Sequence, residues 1–181
     1  MRRALAVLAV ITSAAVTGPA RAQQPAAPAN QQPADPADQL VGLFGATCLH
    51  FNGDAAQIRG FLSQQGAPQM PAQARDAFLA GRPGQVFDTS VPGVNLALVT
   101  LDNGVCEAVV EKASPAAVKA ALAASANEVH VPLTPLGTQA EHLPNGVEHS
   151  AYLLVNGGKQ LHVLLSTAPA APQAVLTLAP Q

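Results

Sequence analysis

Apolar residues in the first part of the domain recur at helical spacing. Leu40, Leu43, Phe44, Thr47, Cys48 and Phe51 lie three or four positions apart, so they share one face of a helix predicted over about 38–51. Asn52-Gly53-Asp54 breaks that helix and offers an N-cap for a second, whose buried face would be Ile58, Phe61 and Leu62. Gly66 followed by Pro68 stops it, and Pro71 opens a short third helix that runs through Leu79 and closes at Gly81. Beyond Gly84 the period changes to alternation. Strands are predicted at 86–87, 94–101 and 105–110, the last two joined by the tight turn Asp102-Asn103-Gly104. Ser114-Pro115 supplies an N-cap and a first-turn proline for an alanine-rich helix ending near Asn127, with Val118, Ala121 and Leu122 on its apolar side. Four strand-like stretches follow, at 129–136, 147–155, 159–167 and 174–178, with Asn145-Gly146 and Asn156-Gly157-Gly158 as turns. Helices first, then strands, predict an α+β fold: N-terminal helices packed on an antiparallel meander sheet with one inserted helix, a single domain over 39–181.

Two segments precede that domain. Arg2 and Arg3 stand before an uninterrupted apolar stretch from Ala4 to Ile11, Gly18-Pro19 interrupts any helix, and Ala20-Arg21-Ala22 presents small side chains on both sides of one free position. This is the layout of a secretory signal peptide over 1–22, with cleavage between Ala22 and Gln23. The apolar stretch is shorter than the roughly 20 residues a transmembrane helix needs, so no membrane span is expected in the mature chain. Residues 23–38 are rich in Pro, Ala and Gln and hold no large apolar side chain, which predicts a disordered arm unable to offset its ordering entropy by burial.

Composition narrows the function. Of 181 residues, 49% are hydrophobic but only 11% are charged and 3% aromatic, which is about half the charge density of an ordinary soluble domain. Removal of Arg2, Arg3 and Arg21 with the leader leaves six basic residues against eleven acidic ones, a formal charge of −5, the wrong sign for a nucleic-acid partner. Export makes the two cysteines, Cys48 and Cys106, a predicted disulfide that would staple the first helix to a strand. The loop it closes is worth roughly 4 kcal/mol in the chain-entropy picture.

The five histidines, at 50, 130, 142, 149 and 162, contain no pair at helical spacing, and no metal site is predicted from them. The weak candidates are His149 and His162, which point to one face of the last hairpin if it turns through either Asn156-Gly157 or Gly157-Gly158, as diagonal neighbours in the first register. There is no nucleophile elbow, phosphate loop, dinucleotide fingerprint or haem attachment pair, and Glu107 with Glu111 lacks the aromatic cleft of a glycosidase pair. No catalytic residue and no cofactor are therefore predicted.

A domain with so few charges covers its exterior with small and uncharged side chains, as the centres of protein interfaces do. The order of features is similar to that of a group of small exported proteobacterial proteins of unassigned function: a helix with Leu43-Phe44 and Cys48, a strand with Gly104-Val105-Cys106, a Ser114-Pro115 helix, and a Tyr152 strand before Leu164-Leu165-Ser166-Thr167. It also resembles the small third subunit of the periplasmic quinoprotein alcohol dehydrogenase of acetic acid bacteria, a likeness of layout over the whole chain without a diagnostic motif. That resemblance implies a non-catalytic subunit without a cofactor of its own, beside a quinone-bearing dehydrogenase and a cytochrome subunit. The expectation is a periplasmic accessory subunit or interaction module that binds a larger periplasmic or membrane-associated complex. The alternative is a periplasmic small-ligand or metal-binding protein using the C-terminal hairpin.

Overall fold

The chain opens its first helix with an Asp-Pro pair. Asp35 accepts a hydrogen bond from Ala37 N at 2.8 Å, and Pro36 takes the first helical position, where no N–H is needed. The computed structural model describes residues 34–140, 146–168 and 172–179, apart from the side chains of 138–140. Helix α1 spans Pro36–Phe44 and buries Ala37, Leu40, Val41 and Phe44. It begins before the expected residue 38, so 35–38 belong to the folded domain and not to the arm. Residues 23–33 of the predicted arm, the signal peptide and the Ala22–Gln23 cleavage point lie outside the described residues.

From Gly45 to Leu49 the chain continues as a π-helical turn where an unbroken α-helix was expected. The Thr47 hydroxyl donates to the Leu43 carbonyl at 2.6 Å, competing for an acceptor of the α ladder, and His50 N reaches back five residues to Gly45 O at 3.1 Å. This turn buries Thr47 and Cys48. Cys48 is bonded to Cys106 with their Cα atoms 5.6 Å apart, so the predicted disulfide joins the helical layer to the sheet.

Helix α2 (Ala55–Gln64) is capped by Asp54, whose carboxylate takes both Ala56 N and Gln57 N at 3.0 Å. Before it, Gly53 sits at φ +77° with an ideal Cβ position only 2.8 Å from Gly104 O, so the turn can lie against the Asp102-Asn103-Gly104 turn only as glycine. Helix α3 (Ala72–Leu79) ends at left-handed Ala80 followed by Gly81.

Among the described residues, seven strands form one antiparallel sheet: β1 (Gly84–Asp88), β2 (Leu96–Leu101), β3 (Cys106–Glu111), β4 (Leu133–Ala140), β5 (Glu148–Asn156), β6 (Lys159–Ala168) and β7 (Gln173–Ala179). The α+β class stands, but the spatial order is β1-β2-β3-β7-β6-β5-β4. After β3 the chain enters helix α4 (Pro115–Glu128), capped by Ser114, and re-enters the sheet at its far edge. The second run of strands then folds back until β7 pairs with β3.

Residues 129–132, expected to start β4, are a loop instead. His130 takes a left-handed φ of 53° and Val131 N closes on Ala126 O at 3.0 Å, which leaves Val129 64% exposed at the end of α4.

The sheet has two unlike faces. On the first, Leu98, Ala108, Leu176, Leu165 and Leu154 pack with α1, α2 and α4 into the main core. On the second, α3 contributes Leu79 to a smaller core with Val86, Val99 and Val109 over β1–β3. No helix of the described residues is long and apolar enough to cross a membrane.

Candidate functional site

The hairpin register decides the fate of the histidine pair. Asn156 pairs with Lys159, so the turn is Gly157-Gly158, His149 faces Ser166 and His162 faces Leu153. The two histidines share the second face, but they lie four residues apart along the strands, about 13 Å at the usual strand rise. The structure takes the second of the two expected registers, in which the histidines share a face without being diagonal neighbours, too far apart to share an ion. His149 Nδ1 is instead 2.8 Å from Ser166 Oγ. No group of three or more His, Cys, Asp or Glu able to hold a metal ion occurs among the described residues. His142 lies outside them.

The glutamates also separate into structural partners. Glu107 receives both guanidinium nitrogens of Arg82, at 2.9 and 3.3 Å, while Arg82 also donates to the Leu79 and Phe78 carbonyls at the end of α3. This arginine therefore ties α3 to the sheet. The Glu107 carboxylate raises the Arg82 pKa, chiefly through that hydrogen bond. Glu111 accepts from the Asn95 amide at 2.8 Å. On the other face, Arg59 of α2 donates to the Thr100 hydroxyl and carbonyl at 2.8 Å each and pairs with Asp102 at 2.6 Å.

Among the described residues, no helix packs over the second face of β5–β7. Two rows run across it through paired positions: Thr177, Leu164 and Ala151, then Ala179, His162 and Leu153. A third row carries Val175, Ser166 and His149, and Val155 stands 41% exposed near the hairpin end. None of these positions is buried. None is Asp, Glu, Lys or Arg either, and with Gln160 and Gln173 at its margins this half-face carries aliphatic, hydroxyl, imidazole and carboxamide groups without a charged side chain from β5, β6 or β7. Alternation at 149–155, 162–168 and 175–179 already contains this pattern, but only the strand pairing aligns three strands into one uncharged patch.

A cleft of about 580 Å³ opens on the opposite side of the sheet, between the end of α1 with its π-helical turn, the end of α4 and the tip of β5. Its apolar lining includes Val41, Phe44, Leu122, Val131 and Leu154. His50, Ser125 and Asn156 add its larger polar groups. Asn156 is held in place because its amide nitrogen donates to Leu49 O at 2.9 Å and Asn52 Oδ1 at 3.2 Å. The His50 ring meets Phe51 edge-on at 4.6 Å. The sequence reading did not single out this cleft; the hint available was Gly42 and Gly45, small residues three positions apart on an otherwise bulky helix.

Comparison with known protein families, with characterised proteins and with solved structures finds no match for the chain, so its function must be argued from the chemistry of these surfaces.

Proposed function

We propose that this chain is a non-catalytic accessory subunit or interaction module of an exported protein complex, and that it docks through the open half-face of β5, β6 and β7. The observation that carries the reading is the uncharged character of that face: Ala151, Leu153, Leu164, Val175 and Thr177 are all partly exposed, and no Asp, Glu, Lys or Arg interrupts them. Charge depletion with partly exposed aliphatics is the composition of an interface centre, where a charged group would lose its hydration without gaining a partner. A sheet face of this kind left in water also invites unspecific association, which a dedicated partner prevents. The resemblance in layout suggests a membrane-associated quinoprotein alcohol dehydrogenase with its cytochrome subunit as the partner, in the periplasm. The disulfide is compatible with an oxidising compartment.

Purification from the native cells in mild detergent, followed by gel filtration and identification of co-eluting chains, tests this reading. The expected result is co-migration with a larger complex that is lost in Leu153→Asp/Leu164→Asp, while the isolated variant still unfolds cooperatively. A wild-type chain that elutes alone under all mild conditions would overturn it. The competing metal-binding reading predicts a monomer whose melting temperature rises with zinc or copper, and the His149–His162 separation argues against it.

A further inference from the structure

We infer that the cleft between the ends of α1 and α4 is a binding site for a small uncharged amphiphile, a molecule with an alkyl or aryl body and one hydroxyl or N–H group. Its volume of about 580 Å³ falls within the range of small-molecule sites, and its walls are apolar with a few polar groups, the usual composition of such sites. Leu49, Val129 and Val131, which are at least partly exposed, provide the surface for the apolar body, over a floor of buried Phe44, Leu122 and Leu154.

The polar groups fix the chemistry of the head. The Asn156 amide nitrogen is already committed to Leu49 O and Asn52 Oδ1, so its carbonyl oxygen is the part left to accept a bond from a ligand. Ser125 can donate or accept, and His50 stands beside them in the same lining.

Charge complementarity excludes anions. Among the described residues no Lys or Arg lines the cleft, and the C-terminal ends of two helical segments, at Leu49 and at Glu128, converge on it with the negative ends of their dipoles. Asp38 and Glu128 stand in the adjoining depression along α1 and α4. A carboxylate or phosphate head would therefore meet negative potential without a cationic partner. A hydroxyl or N–H head finds acceptors.

The small residues of the wall allow a test that keeps the fold. A Cβ placed on Gly42 or Gly45 meets no atom within 4 Å, and both glycines line the cleft. Leucine at either position fills the space while favouring the helix.

The probe is N-phenyl-1-naphthylamine, an uncharged fluorophore with one N–H, titrated into the full chain. The expected result is saturable binding at one site, displaced by 1-decanol and at least tenfold less effectively by decanoate. Gly45→Leu is expected to weaken the probe at least tenfold without lowering the melting temperature, and Gly42→Leu serves as the second filling variant should the first fail to fold. Wild-type affinity in a folded filling variant would overturn the site. Equal displacement by decanoate would overturn the ligand class. Neither outcome touches the docking face, which lies on the other side of the sheet.

Discussion

Single residues hold the layers of this fold together. Cys48 and Cys106 are both fully buried and covalently joined, so Cys48→Ala loses the constraint on the unfolded chain and should cost roughly 2–5 kcal/mol in a denaturant titration. Because the proposed role lies in a surface and not in thiol chemistry, the folded fraction of that variant should still bind its partner. A well-folded variant that binds and fails to support activity would point to a redox role instead. Asp88 gives a pH signature. The Ser90 hydroxyl, followed by the Ser90 N–H, holds its carboxylate below the ordinary range near pKa ~4. A depressed carboxylate contributes stability that is present above its unfolded pKa and is lost as pH falls through the folded one. The stability difference between wild type and Asp88→Asn should therefore be full near neutrality and shrink below about pH 4. A gap independent of pH would show that the Ser90 contact contributes nothing electrostatic.

Elements were legible where local chemistry marks them and not where it does not. The Asp54 and Ser114 caps, the hairpin turn after Leu101 and a turn within Asn156-Gly157-Gly158 all stand where alternation and turn residues put them. The start of α1 was missed because the Asp35-Pro36 signal sits inside a Pro- and Ala-rich run that reads as one arm, and only packing shows Ala37 to be 2% exposed. This changes a truncation experiment. A chain beginning at Gln39 loses the Asp35 cap and the first turn of α1, so it should be less stable by about 1–2 kcal/mol. Chemical denaturation measures it, and an unchanged midpoint would mean that the first turn contributes nothing to the core. The π-helical turn was equally invisible, because Thr47 scores as an ordinary helical position until its hydroxyl is seen on the Leu43 carbonyl.

At the scale of the whole molecule, the low charge content of the chain becomes a location. An interface centred on the half-face of β5–β7 has no ionic steering from its own side, so affinity for the partner should change little between about 50 and 500 mM salt, where surface charges are progressively screened. A steep loss of binding with salt, measured by surface plasmon resonance on the native complex, would place the contact elsewhere. By itself the sequence determined the α+β class, the cysteine pair, most caps and turns, and the scarcity of charge, because each depends on residue type and on neighbours a few positions away. Only the tertiary structure decided that β7 lies beside β3, that Gly157-Gly158 and not Asn156-Gly157 turns the hairpin, and that Gly42 and Gly45 open onto a cleft. These depend on contacts between residues far apart in the chain. One-residue changes in pairing reverse a strand's faces, and two-residue changes in summed register move His149 from a diagonal neighbour of His162 to a site about 13 Å away, with almost no trace in local propensity.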